Sequence, residues 1–411
     1  MLGAGLFFSL LLFFGANWLV DIGIVKNPHS LMGVRAIAPV VFFAAVTAAF
    51  RGLFQGMQNM SAVATSQVSE QLMLAISTLL FSYLLLPHGL AWAAAGANFG
   101  AVPGTIAATL IMIYFYYKYK PEFMARMQQD VSGEQEKAWP LLKKVFAVSI
   151  PISFASISMA MTNIIDNMLI IDRLQVIGYS LQQATALYGQ LTQFAMSFVN
   201  ISIAFSLSMG TSLVPSVAEA FALKNYEHIQ SRLSQSMQLS ILTSLPAAAG
   251  LLVLAPHLTL LIYNNEPAGI PLAFITPAIL FWGIHLVLSG TLQGLGKAII
   301  PVVNLLIGLG LKIAITYFLT PTFLEIRAAA LGTVIMFITA STLNLLAIHR
   351  LVGFSFPVAK GLLRPAIATF IMALVVWKSY GLLYSFIGLN SIATCAAILI
   401  GMILYLSLIH I

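Results

Sequence analysis

Charged residues are scarce in this sequence. Asp, Glu, Lys and Arg together make up 8% of the 411 residues, while 60% of the residues are hydrophobic. Soluble domains carry about a quarter charged residues. A chain so poor in charge cannot present a surface that water tolerates, which excludes an ordinary soluble enzyme or binding module. Its solvent must be largely hydrocarbon.

Cysteine is almost absent, and the histidines form no ligand pattern. Cys395 is the single cysteine, which excludes an internal disulfide and a cysteine metal cluster. The seven histidines are scattered without the spacing of a metal site, so we predict neither a metal nor a cofactor. His285, within a predicted helix, is expected to be a packed, hydrogen-bonded residue.

A nucleotide-binding loop is also missing. The stretch GTLQGLGKA resembles one, but Thr291 stands where the first glycine is required, and Ala298 replaces the hydroxyl residue that follows the lysine. ATP is therefore not an expected partner. The twelve acidic residues are dispersed, which also disfavours a membrane-embedded transferase.

The net charge of +7 comes mainly from basic residues at the ends of apolar segments. Basic residues in that position orient helices in a membrane, so nucleic acid is not an expected partner. If the 118–144 connection is cytoplasmic, thirteen basic residues fall on that side and five on the other. This bias predicts that both ends of the chain lie on the cytoplasmic side.

Long apolar runs without period-two alternation predict membrane-spanning helices rather than a membrane barrel. Residues 71–117 and 174–218 contain no charged residue, and each run exceeds one span. We predict an all-α polytopic membrane protein with about twelve helices, at 3–20, 34–57, 62–86, 90–117, 143–170, 188–221, 231–254, 271–295, 298–319, 328–348, 361–386 and 388–410. Prolines within several of them, such as Pro277, predict kinks.

The motif G-x-x-Q-G closes two predicted helices 238 residues apart, and another apolar helix follows each copy. Its members are Gly52, Gln55 and Gly56 in the first copy and Gly290, Gln293 and Gly294 in the second. This placement predicts an internal repeat six helices long. The glycines are expected to permit close approach of helices. The glutamines are expected either to form hydrogen bonds between helices or to contact a ligand.

A repeat of six helices leaves the first half two helices short. We therefore expect an N-terminally incomplete form of a fourteen-helix chain with two six-helix bundles and two final helices. The predicted domains are an N-terminal bundle of four helices (1–117), a charged cytoplasmic linker (118–144), a six-helix bundle (145–350) and two C-terminal helices (351–411). A parallel repeat of this kind suits alternating access.

Three stretches resemble a known family: RAIAPVVFFAAVTAAFRGLFQGMQNMSAVATSQVSEQ, VSIPISFASISMAMTNIID and TSLVPSVAEAFAL. They resemble membrane proteins of the stage V sporulation protein B and YtgP type. That group belongs to the multidrug/oligosaccharidyl-lipid/polysaccharide (MOP) exporter superfamily, with the MurJ-type lipid II flippases. The resemblance implies a flippase of the bacterial cytoplasmic membrane, not an enzyme. Its substrate would be an undecaprenyl-pyrophosphate-linked peptidoglycan precursor or a related lipid-linked oligosaccharide.

The first half offers several candidates for a hydrated cavity that receives an anionic head group. Arg51 either contacts the pyrophosphate through its planar guanidinium or snorkels to the membrane head groups. Glu70 lies about nine residues, roughly 14 Å, inside its helix. There it must pair, bind a cation or take up a proton, and Arg51 is its obvious partner. Arg35, near the opposite face, is either an interfacial anchor or a contact for an arriving phosphate.

In the second half, Asp166 and Lys312 are the charged candidates. Asp166 either lines the cavity or acts at the outer interface with Arg173. Lys312 is the only basic residue well inside its helix. We expect it to face the cavity, where it either complements a phosphate or pairs with a carboxylate.

Two other transporter functions stay open. A cation-coupled drug antiporter of the same superfamily would use Glu70 and Asp166 to bind Na⁺ or H⁺, and an exporter would carry another lipid-linked polysaccharide unit. Because no nucleotide site is present, the membrane potential or an H⁺ or Na⁺ gradient is expected to supply the energy. The expected partners are the lipid-linked substrate and the membrane lipids.

Overall fold

The computed structural model describes residues 2–21, 31–128, 138–357 and 359–409, and these ranges contain helices and short turns but no strand. The helices are α1 (Leu2–Asp21), α2 (Leu31–Gly56), α3 (Met60–Leu85), α4 (Leu90–Phe99), α5 (Ala101–Gln128), α6 (Ala138–Val176), α7 (Leu181–Gly189), α8 (Met196–Ala222), α9 (Tyr226–Tyr263), α10 (Gly269–Ile275), α11 (Pro277–Gly294), α12 (Ile299–Leu319), α13 (Ile326–Val352), α14 (Arg364–Ile387) and α15 (Asn390–Ile409). The middle of the predicted 118–144 linker, residues 129–137, lies outside the described residues.

Each predicted span falls on one of these helices or on a consecutive pair, which confirms the all-α polytopic membrane fold. In the described ranges, nine helical segments are long and apolar enough to cross a membrane, and the bent pair of α10 and α11 raises the number to ten. That pair bends by 44° where Pro277 begins α11. Proline restricts the residue before it and lacks an amide proton, so a kink at this point is expected.

The chain forms two compact units, Met1–Gln135 and Glu136–Ile411. In the first unit, Phe54, Ala62 and Met112 hold α2, α3 and α5 together through a small buried cluster. The second unit has a larger core contributed by helices from α6 to α13. A separate buried cluster packs α14 and α15 against α9. Each unit is therefore stabilised by its own apolar core.

The two copies of G-x-x-Q-G end α2 and α11 with the same backbone hydrogen bonds. At the end of α2, the amides of Met57, Gln58 and Asn59 donate to the carbonyls of Leu53, Gln55 and Phe54, respectively. At the end of α11, the amides of Leu295, Gly296 and Lys297 donate to the carbonyls of Thr291, Gln293 and Leu292. The residues with positive φ, Gln58 at 58° and Gly296 at 71°, also occupy equivalent positions in the two turns. Both turns are Schellman caps, a common way to end a helix that also follows α8, so the internal repeat stays a prediction.

The motif's two glutamines act through their backbone carbonyls. The carbonyls of Gln55 and Gln293 each accept the amide of the left-handed residue three positions later. Within the described residues, no hydrogen bond between helices involves either glutamine side chain. The predicted roles of the two side chains, in hydrogen bonds between helices or at a ligand, stay predictions, because the caps use only the backbone carbonyls.

The motif's glycines pack differently in the two copies. A methyl group on Gly290 would overlap the carbonyl oxygen of Gly210 on α8, and one on Gly294 would lie 2.8 Å from the same helix. The predicted close approach is therefore confirmed for the second copy. It is wrong for Gly52 and Gly56, because no neighbouring atom lies within 4 Å of a methyl group built on either residue.

Gly290→Ala should destabilise the protein, because the new methyl group forces α8 and α11 apart, and overpacking of this kind costs about 1–3 kcal/mol. Gly52→Ala is the matched control. Alanine favours a helix over glycine by about 1 kcal/mol, so this variant should be neutral or slightly stabilised. Thermal unfolding of the purified protein in detergent compares the two. Equal melting temperatures would contradict the close approach at Gly290.

Candidate functional site

Inside the first unit, an arginine of α2 pairs with a glutamate of α3. Arg51 donates from Nη2 to Glu70 Oε2 at 2.6 Å and from Nε to Ser66 Oγ at 2.9 Å. Ser66 and Glu70 lie one turn apart on α3, so they present their side chains on the same face. The charged side chains of Arg51 and Glu70 are each 20% exposed. The predicted pairing is confirmed, and both side chains stay partly exposed.

Neighbouring hydroxyl groups support this pair. Ser66 is buried and donates its own proton to the carbonyl of Val63 at 2.8 Å, which leaves its oxygen free to accept from Arg51. The hydroxyl groups of Thr47 and Thr109 lie 2.7 Å apart and join α2 to α5. Buried polar groups must find partners in an apolar setting. These hydrogen bonds fix α2 against α3 and α5, and sequence reasoning did not identify them because single hydroxyl residues carry no distinctive pattern.

The second unit contains a more deeply buried ion pair. Lys312 Nζ on α12 lies 2.5 Å from Asp166 Oδ2 on α6, and the two side chains are 5% and 13% exposed. Lys312 thus takes one of its two predicted roles, as the partner of a carboxylate. The alternative that joined Asp166 to Arg173 was wrong, because Arg173 binds Asp172 at 2.7 Å and lies over the ring of Tyr317.

Two buried threonines follow Lys312 along the chain, Thr316 within α12 and Thr320 directly after its end. Thr316 and Thr320 follow it at four-residue intervals and therefore lie on the same face. Both are fully buried, and neither hydroxyl oxygen has a hydrogen-bond partner among the described residues. Gly332 of α13 packs against this face, since a methyl group there would lie 3.1 Å from Thr316 Oγ1 and 3.2 Å from Lys312 Cγ. The lysine is therefore confined by a closely packed neighbour.

His285 belongs to a buried polar group that joins α11, α12 and α13. Its Nδ1 lies 3.1 Å from Asn344 Nδ2, while Asn304 Nδ2 donates to Asn344 Oδ1 at 2.8 Å. An amide nitrogen can only donate, so Nδ1 accepts and the ring proton lies on Nε2, 3.5 Å from Ser289 Oγ. Beside it is a cavity of about 40 Å³ that Gln293 also lines. The predicted packed, hydrogen-bonded histidine is confirmed.

Arg35 lies far from the Arg51–Glu70 pair, about 24 Å along α2 by helical rise. Its Nη2 donates to Asn17 Oδ1 on α1 at 3.2 Å, while its buried Nε has no hydrogen-bond partner among the described residues. The structure therefore brings Arg51 to Glu70 in the first unit and Lys312 to Asp166 in the second, and within the first unit it leaves Arg35 apart from the Arg51–Glu70 pair. Its role as an anchor or as a phosphate contact stays a prediction.

Comparison with known families places both ion pairs within matched regions. Residues 1–221, more than half of the chain, match the model of a family described as polysaccharide biosynthesis protein. The chain belongs to this polysaccharide biosynthesis family. A second model, MatE, matches residues 151–318. Arg51, Glu70 and Asp166 lie in the first match, and Asp166 and Lys312 in the second.

Two curated proteins of Bacillus subtilis (strain 168) resemble this family member over most of its length. Stage V sporulation protein B is 28% identical over 335 residues, which cover 80% of this chain and 64% of that protein. Lipid II flippase MurJ is 25% identical over 339 residues, which cover 80% of this chain and 62% of that protein. The chain thus spans a little less than two thirds of the length of these two relatives.

A solved structure shows the same fold. The lipid II flippase MurJ in an inward closed conformation matches with a TM-score of 0.62 and 16% identity, over 98% of this chain and 80% of that one. At this identity the similarity concerns the fold alone. Together with the helices long enough to span a bilayer, it confirms that this member of the polysaccharide biosynthesis family is a multi-pass membrane protein of the MOP fold.

Asp166→Asn should destabilise the protein strongly, because it leaves the buried ammonium of Lys312 without a counter-charge. Breaking a buried pair in this way costs about 3–5 kcal/mol. The double variant Asp166→Asn/Lys312→Met removes both charges and should recover much of the loss. Thermal unfolding in detergent measures both effects.

Asp172→Asn is the control for this experiment. The Asp172 side chain is 62% exposed in its pair with Arg173, and exposed pairs contribute at most about 1 kcal/mol. Two results would show that the stability of the protein does not depend on the pairing of Lys312 with Asp166. Either the double variant is no more stable than Asp166→Asn, or Asp166→Asn is as stable as the control.

Proposed function

We propose that this protein moves an undecaprenyl-pyrophosphate-linked peptidoglycan precursor, lipid II or a close relative, across the bacterial cytoplasmic membrane by alternating access. Family membership supports the transport of a polysaccharide precursor, and a lipid II flippase is among the similar curated proteins. The observation that carries the proposal is the partly exposed side chain of Arg51 within an apolar helix. Such a group provides what an anionic head group needs in order to leave water.

The chemistry of Arg51 suits a pyrophosphate. A guanidinium has five N–H donors in a planar fork that matches phosphate oxygens. Its bonds to Ser66 and Glu70 use the Nε and one terminal nitrogen. Arg51 can therefore donate to a phosphate while it stays anchored to α3. The same bonds hold the side chain in place before the substrate arrives, which reduces the entropic cost of binding.

Glu70 has a second role in this scheme. Without a substrate it neutralises Arg51, so no isolated cation is left among apolar helices. A charge at the bilayer centre costs about 2.5–3.5 kcal/mol even on lenient scales. When a pyrophosphate binds, it shares Arg51 with Glu70, and the repulsion between the two anions limits affinity. A substrate that must be released on the far side benefits from such a limit.

The paired state of both carboxylates favours a lipid-linked anion over a drug antiporter as the proposed substrate class. An antiporter needs an acid that is free to bind Na⁺ or H⁺, whereas Glu70 and Asp166 each bind a basic side chain. An exporter of another lipid-linked polysaccharide unit would use the same chemistry at Arg51. It remains the second candidate because the family description names polysaccharide biosynthesis rather than one glycan.

Energy for this movement is proposed to come from the membrane potential, because Glu70 and Asp166 are each bound to a basic side chain and are not free to carry H⁺ or Na⁺. Both chain ends are proposed to be cytoplasmic, as the distribution of basic residues predicts. A potential that is negative inside pushes an anionic head group outward, by about 2.3 kcal/mol per charge per 100 mV. No bound cofactor is required for such a step.

Arg51→Ala should abolish complementation in a bacterium depleted of its own lipid II flippase, because the head group loses its cationic contact. Arg51→Lys should retain part of the activity, since it keeps the charge but loses the planar fork. Growth after depletion is the readout, with protein levels measured by immunoblot.

Arg364→Gln is the control for this experiment, since it removes an exposed basic residue at the start of α14. It should support normal growth. If the parent chain fails to restore growth, the proposed function does not hold for this chain. Normal growth with a well-expressed Arg51→Ala protein would show that Arg51 acts only as an interfacial anchor.

An imposed diffusion potential should change the rate of head-group movement in proteoliposomes that contain the purified protein and fluorescent lipid II. A potential that is negative on the cytoplasmic face should accelerate outward movement, and the reversed potential should slow it, because the moving group is anionic. Accessibility of the fluorophore to a membrane-impermeant quencher gives the rate. Equal rates at all potentials would exclude electrical coupling.

A further inference from the structure

A cavity of about 680 Å³ opens in the second unit between α9 and α14, away from both the Asp166–Lys312 pair and the His285 group. Its lining residues are Val253, Leu254, His257, Trp377, Lys378, Tyr380, Gly381 and Leu382. The volume falls in the range of roughly 300–1,000 Å³ that is typical of pockets for small molecules. Most of the wall is apolar or aromatic, so the occupant must itself be largely apolar.

The polar part of the lining has one sign of charge. Lys378 is exposed, His257 is half-buried, and none of the eight lining residues is acidic. Among the described residues, Lys378 forms no ion pair. It lies about 14 Å before the end of α14 by helical rise, and therefore within a segment apolar enough to span a membrane. Because Lys378 is exposed, its alkyl chain can carry the ammonium towards the level of the lipid head groups, where an anionic phosphate is the natural counter-ion.

A fixed pair of aromatic rings lines the same cavity as this lysine. The rings of His257 and Tyr380 stack with their centroids 3.8 Å apart. Tyr380 donates its hydroxyl proton to Asn390 Oδ1 at 3.0 Å, and Asn390 Nδ2 donates to the carbonyl of His257 at 3.1 Å. These bonds join α9, α14 and α15 at one point. The cavity is therefore shaped before a ligand binds, which reduces the cost of binding.

The exposed Trp377 adds a feature of a lipid contact. Its side chain is 63% exposed beside Lys378. Tryptophan and tyrosine are enriched at the level of lipid head groups, where one part of the ring is apolar and another is wet. A lysine next to such a ring can follow its alkyl chain toward a phosphate. The apolar wall suits the acyl chains of a phospholipid. The aromatic rim and the single cation suit its phosphate-bearing head group.

We propose that this cavity binds one anionic phospholipid. Lys378 contacts the phosphate, His257 and Tyr380 lie beside the glycerol region, and an acyl chain follows Leu254 and Trp377. The bound lipid supplies the counter-charge that Lys378 lacks within the described protein, and it fills the space between α9 and α14. This lipid is a component of the bilayer rather than the transported substrate, so the proposal does not depend on the proposed function.

The test measures binding of phosphatidylglycerol and phosphatidylcholine to the purified full chain, by native mass spectrometry from mixed micelles that contain equal amounts of the two. Phosphatidylglycerol should be retained preferentially by the parent chain. Lys378→Gln should lower its retention about five-fold, the effect of losing one basic contact near a membrane surface. Lys297→Gln, which removes an exposed lysine outside the cavity, should leave it unchanged.

Gly381→Phe provides an independent variant. Nothing lies within 4 Å of a methyl group built on Gly381, so a larger side chain can enter the cavity without a clash with the backbone. It should reduce phosphatidylglycerol retention while Lys378 is still present. Equal retention of the two lipids by the parent would overturn the proposal. Equal losses of phosphatidylglycerol in Lys378→Gln and Lys297→Gln would overturn it as well. Full retention by Gly381→Phe would likewise exclude this cavity as the site.

Discussion

Pairing of charge inside apolar helices is the constraint on which both units depend. An isolated ion in hydrocarbon is costly, so a charged side chain within a span is stabilised by a partner of opposite charge. The first unit does so with Arg51 and Glu70, which stay partly accessible, and the second with Asp166 and Lys312, which are nearly closed off. This difference in exposure separates their roles: the accessible pair can exchange or share a counter-ion, whereas the closed pair ties two helices together.

The two copies of G-x-x-Q-G show how one type of turn forms in two different surroundings. The caps after α2 and α11 have the same hydrogen bonds and a left-handed residue at the same position, Gln58 in one and Gly296 in the other. The glycines of the same motif are packed against another helix only in the second unit. A few consecutive residues determine the geometry of a turn. The packing of a glycine, in contrast, depends on which helix lies opposite it.

The same distinction explains what the sequence could predict. Hydropathy and proline positions predicted the helices, and the pairing of Arg51 with Glu70 followed because the two residues lie on consecutive antiparallel helices. Asp166 and Lys312 are 146 positions apart, so no local pattern could bring them together. The hydrogen bonds of His285 with Asn344, and the close approach of Gly290 to α8, likewise depend on the tertiary fold. Single asparagines or glycines within apolar helices do not reveal their partners.

The MOP fold is shared by proteins with different substrates, so substrate class must come from the chemistry of the side chains. Binding of two matched prenyl-linked disaccharides to the purified protein is the most direct measurement of that chemistry. One compound carries a pyrophosphate, and in the other a neutral linker replaces it. We expect salt-sensitive binding of the pyrophosphate compound alone, and its loss in Arg51→Gln at an unchanged melting temperature. Equal affinity for the two compounds, or unchanged binding by Arg51→Gln, would contradict a cationic site for an anionic lipid head group.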